Sequence, residues 1–137
     1  MNTRIPAALT LKERDRRWEL ARQIMRENNL EFLMVYGDRE SAAPAPFCID
    51  HYFTNDRLGS VVLFHQDKPP VVVTFAPMMV ADHMQASLRH DMQWITAEQI
   101  MVGKTGRNIG NILLQLGVAS YARIGVIGLE PYPPILF

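Results

Sequence analysis

The segment between Asp50 and Leu58 holds the best set of side chains for recognising a ligand. It combines an imidazole, a phenol, an amide, a carboxylate and a guanidinium, on residues His51, Tyr52, Asn55, Asp56 and Arg57. An apolar run that predicts a buried strand follows directly, and loops carried by a rigid sheet are favoured places for recognition. We therefore predict a binding segment here. The alternative is that Tyr52 and Phe53 only anchor the loop in the core while Arg57 is solvated.

Metal binding and nucleophilic catalysis find little support in the rest of the sequence. The histidines are His51, His65, His83 and His90. They lack the spacing of a zinc site, and we expect them at the surface. Cys48 precedes His51 by three residues, but catalytic thiols usually meet their base in space, and a half-buried cysteine in an ordered loop is the simpler interpretation. The sequence predicts no metal site and no catalytic residue in this chain.

The stretch Gly103-Lys-Thr-Gly106 is a weak signal for anion binding. It precedes a predicted helix, whose first N–H groups can hold an anion. It lacks the spacing of a phosphate-binding Walker loop, and no apolar strand is predicted to lead straight into it. We interpret it as a flexible turn.

Composition excludes several classes of partner. Fourteen basic residues balance fourteen acidic ones, and no stripe of Lys and Arg suited to nucleic acid is present. Cys48 is the single cysteine, so no internal disulfide can form and a reducing compartment is expected. The N-terminus lacks the apolar core of a signal peptide. The sequence predicts a cytoplasmic protein that partners neither nucleic acid nor membrane.

The apolar patterns alternate between helix and strand. Thr10 and Glu13 form a capping-box pattern that opens a helix running to about Asn28. Its predicted apolar face consists of Leu11, Trp18, Ala21, Ile24 and Met25. Residues 39–55 are expected to be irregular because Pro44 and Pro46 disfavour helix. A second helix is predicted over 77–88, with Pro77 in its first turn and with Val80, Ala81, Met84 and Leu88 facing the sheet. A third helix is predicted over 105–116, and strands are predicted over 30–36, 59–65, 71–75, 92–95 and 123–128.

These elements predict a three-layer α/β domain. Runs 59–65 and 71–75 are separated by too few residues for a parallel crossover, so they should form an antiparallel hairpin. The run 30–36 is nearly continuous and apolar, which is typical of strands in sheets covered on both faces. We expect a mixed sheet of about five strands flanked by three helices.

Several strings, in this order, resemble a known domain. They are Asn28-Asn-Leu-Glu-Phe-Leu-Met-Val-Tyr36 after an Arg-rich helix, then His51-Tyr-Phe-Thr54, then the hairpin, then Ile124-Gly-Val-Ile-Gly-Leu-Glu130. Together they resemble the N-terminal domain of the creatinase, aminopeptidase P and prolidase family of metallopeptidases. In that family Thr54 would be followed by glycine, where this chain has Asn55. The resemblance spans residues from about Lys12 to Glu130 and implies the ribonuclease H-like fold of that domain.

The resemblance also implies a function for the parent protein. Residues 1–130 would form the N-terminal domain, and the apolar, proline-rich residues 131–137 would begin a linker to a C-terminal catalytic domain. That domain would bind two divalent metal ions (Mn, Co or Zn) and act as an Xaa-Pro aminopeptidase or dipeptidase. The N-terminal domain would be non-catalytic, with no cofactor of its own. It would support a homodimer and shape the substrate pocket.

Within this resemblance, the segment holding His51, Tyr52, Asn55, Asp56 and Arg57 would reach a neighbouring subunit's site. Arg57 would then bind a substrate carboxylate, since guanidinium pairs with carboxylate through two hydrogen bonds. Two alternatives stay open. One is a stand-alone interaction or dimerisation module, and the other is a family member that acts on a small molecule other than a peptide.

Overall fold

A computed structural model of the chain describes residues 10–37, 49–56 and 59–128. These residues form four α-helices, five strands and one 3-10 turn. The helices are α1 (Leu11–Glu27), α2 (Ile49–Thr54), α3 (Pro77–Leu88) and α4 (Gly106–Gln115). The strands are β1 (Phe32–Tyr36), β2 (Val61–His65), β3 (Val71–Thr74), β4 (Ile100–Val102) and β5 (Ile124–Ile127), with the 3-10 turn at Ala97–Gln99.

The strands form one mixed sheet in the order β4-β3-β2-β1-β5. β2 is antiparallel to both β1 and β3, which confirms the predicted hairpin. β5 runs parallel to β1, and β4 runs parallel to β3. The carboxyl ends of β1, β3, β4 and β5 therefore lie at one edge of the sheet, together with the start of β2. We call this the carboxyl edge.

Both faces of the sheet are covered, so the predicted three-layer α/β class is confirmed. Because successive strand residues point to opposite faces, Val62 and Phe64 join the larger core beneath α1, α2 and α3. Val61 and Leu63 point the other way, into a smaller core closed by Ile112 of α4.

The first helix follows its prediction closely. Thr10 accepts a hydrogen bond from the Glu13 amide at 3.1 Å and so caps α1. The Glu13 side chain does not complete a capping box, because it pairs with Arg16 and Arg17 instead. Of the predicted apolar face, Trp18, Ala21 and Met25 are buried, while Leu11 and Ile24 are each 40% exposed.

The inward face of α3 differs from the prediction. Pro77 occupies the first turn as expected, but Met79 and His83 are the buried residues of the helix. Met84 is 57% exposed and Leu88 80% exposed, so the prediction that they face the sheet was wrong. His83 can be buried because both its ring nitrogens find oxygen partners, as described below.

Two local assignments were also wrong. Residues 92–95 form no strand: Trp94 and Ile95 are buried in an irregular segment, and the strand of this region is β4. A short apolar run is compatible with a strand and with a buried irregular segment, so hydrophobic periodicity cannot distinguish the two. Residues 49–54 are helical rather than irregular, because Pro44 and Pro46 restrict the residues just before them and not a helix starting three residues later.

Candidate functional site

The helix α2 lies at the carboxyl edge and carries part of the predicted binding segment. Asp50, Phe53 and Thr54 are buried, Tyr52 is half-buried, and His51 is exposed. After the helix, Asn55 adopts a positive φ of 50°. Its backbone N–H donates to the backbone carbonyl oxygen of His51 at 2.8 Å. The Asp56 carbonyl oxygen then lies 2.6 Å from Nδ1 of His51. His51, Asn55 and Asp56 are thus held together in one compact turn.

Asp50 anchors this turn from below. Its side chain is fully buried, and one carboxyl oxygen, Oδ2, accepts a hydrogen bond from the Ser60 amide at 3.0 Å. The other oxygen, Oδ1, has no hydrogen-bond partner among the described residues. Burial raises the pKa of the Asp50 carboxyl, and hydrogen bonds from backbone amides such as Ser60 offset only part of that rise. Sequence patterns offered no signal for this buried acid.

Asp50→Asn is expected to change how stability depends on pH. Because the pKa of Asp50 is higher in the folded chain than its ordinary value of 3.8, folding favours the protonated acid. Its favourable contribution is complete below that ordinary value and is lost as the pH rises through the folded-state pKa. The asparagine variant stays uncharged, so its stability relative to the parent chain should increase with pH.

Urea unfolding at a series of pH values measures this effect. Asp67→Asn, at an exposed aspartate of the β2–β3 turn, controls for loss of a carboxylate elsewhere. Parallel pH profiles for the parent chain and Asp50→Asn would contradict the assignment.

A second buried group, His83 of α3, was expected at the surface and is only 8% exposed. Its Nε2 atom lies 2.7 Å from Oδ2 of Asp56, and its Nδ1 atom lies 2.7 Å from the Met79 carbonyl oxygen. The pair connects the end of α2 to α3. In the sequence, His83 follows Met79 by four residues, which places both on the same face of a helix. This spacing is only a weak signal that the histidine is buried.

Asp56 and His83 border a cavity of about 330 Å³. Its lining includes Asn55, Asp82, Asp91 and Trp94. Three of the lining side chains, Asp56, Asp82 and Asp91, are carboxylates. Neither ring nitrogen of His83 faces open space, so the imidazole is not placed to act as a general base toward a molecule in the cavity. Among the described residues, no three His, Cys, Asp or Glu side chains are grouped so as to hold a metal ion.

Tyr52 lies on the other side of α2, against α1. The Arg17 guanidinium stacks over its ring at 4.3 Å and donates to its carbonyl oxygen at 2.8 Å. The ring also packs edge-on against Phe53. This agrees with the anchoring alternative for Tyr52. Arg57 and Cys48 lie outside the described residues.

The glycine stretch 103–106 is an ordered connection from β4 to α4, so the prediction that no strand leads into it was wrong. The Lys104 ammonium donates to the carbonyl oxygens of Gly37 at 2.8 Å and Gly59 at 3.0 Å. It also lies 4.4 Å from the centre of the Tyr36 ring. The lysine therefore joins neighbouring backbone segments at the carboxyl edge.

Comparison with known proteins adds no family assignment. No protein-family model matches the chain, and a search of curated proteins found no match. Across residues 10–37, 49–56 and 59–128, every helix is too short or too polar to cross a bilayer.

Proposed function

We propose that this chain is the non-catalytic N-terminal domain of a creatinase- or prolidase-like metallohydrolase, with Xaa-Pro peptides as the expected substrates. The domain would support a homodimer in the cytoplasm, and the turn formed by His51, Asn55 and Asp56 would help to shape a substrate pocket. The catalytic domain would supply the two divalent metal ions.

The conformation of Asn55 is the observation that carries this proposal. The family resemblance places a glycine at this position, and Asn55 has a φ of 50°. Glycine adopts this left-handed region freely, and asparagine is among the residues that best tolerate it. Asn55 therefore has a backbone conformation that a glycine at this position would also adopt easily, which supports the resemblance.

The placement of the turn gives further support. Asp50 binds the start of β2 through Ser60, and Asp56 binds α3 through His83. A turn fixed in this way loses little conformational entropy when its exposed side chains contact a ligand or another subunit, which suits a recognition surface.

A stand-alone interaction module is the second candidate, and one surface feature favours it. α4 covers β2 and β3 but leaves an apolar groove of about 570 Å³ along β1 and β5. Met34, Tyr36, Ile109, Ile124 and Val126 line it. Exposed apolar grooves often mark protein contacts.

The intact mass of the gene product in its source cells separates these candidates. A mass well above the 15.6 kDa of this chain, with bound Mn, Co or Zn and Xaa-Pro hydrolysis by the whole protein, would support the hydrolase. A mass equal to that of this chain would favour the module. An intact larger enzyme that binds metal but cleaves a non-peptide substrate would favour the small-molecule alternative.

Arg57→Ala in the full-length protein is expected to raise KM for substrates with a free carboxylate at least tenfold, because loss of a charge-assisted pair costs about 1.5–3 kcal/mol. The kcat should change less. Arg89→Ala, at a guanidinium whose pairing with Asp91 is exposed, is the matched control. An unchanged KM for Arg57→Ala would remove this residue from the proposed binding set.

The isolated 137-residue chain provides a separate test. It should bind no stoichiometric Zn or Mn and should not cleave Xaa-Pro peptides. Turnover by the purified chain would contradict a non-catalytic role.

A further inference from the structure

Helix α3 carries apolar side chains on two sides. Its buried side holds Met79. A second set of apolar residues follows at steps of three or four, which places them together along another side of the helix. This outer stripe consists of Met78, Ala81, Met84 and Leu88. All four are exposed, Met78 to 69% and Leu88 to 80%. A surface helix usually carries polar residues opposite its buried side, so the outer stripe has the character of a surface that another protein covers.

The charges beside the outer stripe indicate which partner fits it. Asp82 and Arg89 are both exposed and lie two helical turns apart, on the same flank of the stripe. A two-fold axis perpendicular to α3 generates a second, antiparallel copy and brings equal flanks together. With the axis level with the peptide bond between Gln85 and Ala86, Asp82 of each copy lies opposite Arg89 of the other. The surface is therefore complementary in charge to a second copy of itself.

The same register also fits the apolar side chains. Leu88 of one copy lies between the levels of Ala81 and Gln85 of the other copy. Ala81 is the smallest residue of the outer stripe, so it leaves space that the leucine side chain fills. Met84 lies close to the axis and faces its own copy, and its flexible side chain can fill an irregular gap.

We propose that α3 is a dimerisation helix, whose outer stripe packs antiparallel on that of a second copy while Asp82 and Arg89 set the register. The inference rests on the homodimer of the proposed function, whose contact surface it names, and not on the enzymatic role. The apolar stripe supplies the affinity, and the charges exclude other registers. Arg89 also pairs with Asp91 of its own chain in an exposed contact. Such pairs contribute little stability, so Arg89 can turn to the second copy at small cost.

Sedimentation equilibrium of the 137-residue chain tests the stripe. The mass of the parent chain should rise with concentration toward twice its 15.6 kDa, because a single pair of short helices is smaller than a standard interface and dissociates on dilution. Leu88→Ser should weaken association about tenfold or more, since the two-fold axis removes two buried leucines at once. Leu114→Ser is the matched control at a leucine of α4 that is 71% exposed, and it should leave the mass unchanged.

Two charge reversals test the register. Asp82→Arg and Arg89→Asp each bring like charges together at two symmetric contacts, so each variant alone should stay monomeric. An equal mixture of the two variants should form a heterodimer, because both contacts then join opposite charges. Recovery in the mixture also shows that each variant is folded.

Three outcomes would overturn the proposal. They are a parent chain that stays monomeric at millimolar concentration, a dimer that Leu88→Ser leaves intact, and a mixture of the charge variants that fails to associate. A dimer that persists in these variants would assign the homodimer to another surface and leave the proposed function standing. Absence of Xaa-Pro hydrolysis by the whole protein would remove the enzymatic role without changing the sedimentation result.

Discussion

Trp18→Ala is expected to lower the free energy of unfolding by about 3–5 kcal/mol, the usual cost of deleting a buried aromatic side chain. Trp18 is 5% exposed and packs edge-on against Phe64 at a centroid distance of 6.4 Å. Its Nε1 atom donates to the Phe53 carbonyl oxygen at 2.8 Å. The indole therefore connects α1 both to the centre of the sheet and to α2, which carries the candidate site.

Chemical denaturation of three variants separates these contributions. Trp18→Phe keeps an aromatic ring but leaves the buried Phe53 carbonyl without its donor, which should cost about 1–3 kcal/mol. Leu20→Ala, at a residue of the same helix that is 39% exposed, controls for truncation of a large apolar side chain. If Trp18→Ala were no more destabilising than Leu20→Ala, the central role of the indole would be refuted.

Gly37→Ala is expected to destabilise the fold by about 3 kcal/mol or more, at the upper end of the usual cost of overpacking. A Cβ atom at Gly37 would lie 2.1 Å from both Cγ and Oδ1 of the buried Asp50. The backbone cannot easily move away, because the Gly37 amide donates to the Ser60 carbonyl and the Gly37 carbonyl accepts from Lys104. Position 37 therefore requires glycine because the buried Asp50 side chain leaves no room for a Cβ atom.

Gly110→Ala is the matched control within the same fold. A Cβ atom at Gly110 meets nothing within 4 Å, and the residue lies inside α4. Alanine there should increase stability by about 0.5–1 kcal/mol through its helix propensity. A double variant, Gly37→Ala with Asp50→Ala, removes the clashing carboxyl and should recover part of the loss. Equal stability of Gly37→Ala and the parent chain would show that Asp50 does not occupy this position.

The candidate site was only partly accessible from the sequence. The segment 50–58 was identified by its polar and aromatic composition, and the structure brings His51, Asn55 and Asp56 together. It assigns Tyr52 to an anchoring contact with Arg17. His83 and the buried carboxyl of Asp50 were missed, because their roles depend on partners at other points of the chain.

The sequence by itself determined the elements whose signals are local. The cap at Thr10, the continuous apolar runs of β1 and β2 and the first-turn Pro77 of α3 act within a few residues, so α1, the hairpin and the α/β class could be predicted. The tertiary structure decided what depends on contacts between distant segments. It selected β4 over residues 92–95, turned Met79 and His83 of α3 inward, and buried Asp50 against Gly37. Hydrophobic patterns specify that a face is apolar, but which residues become buried depends on the neighbours that the sheet order supplies.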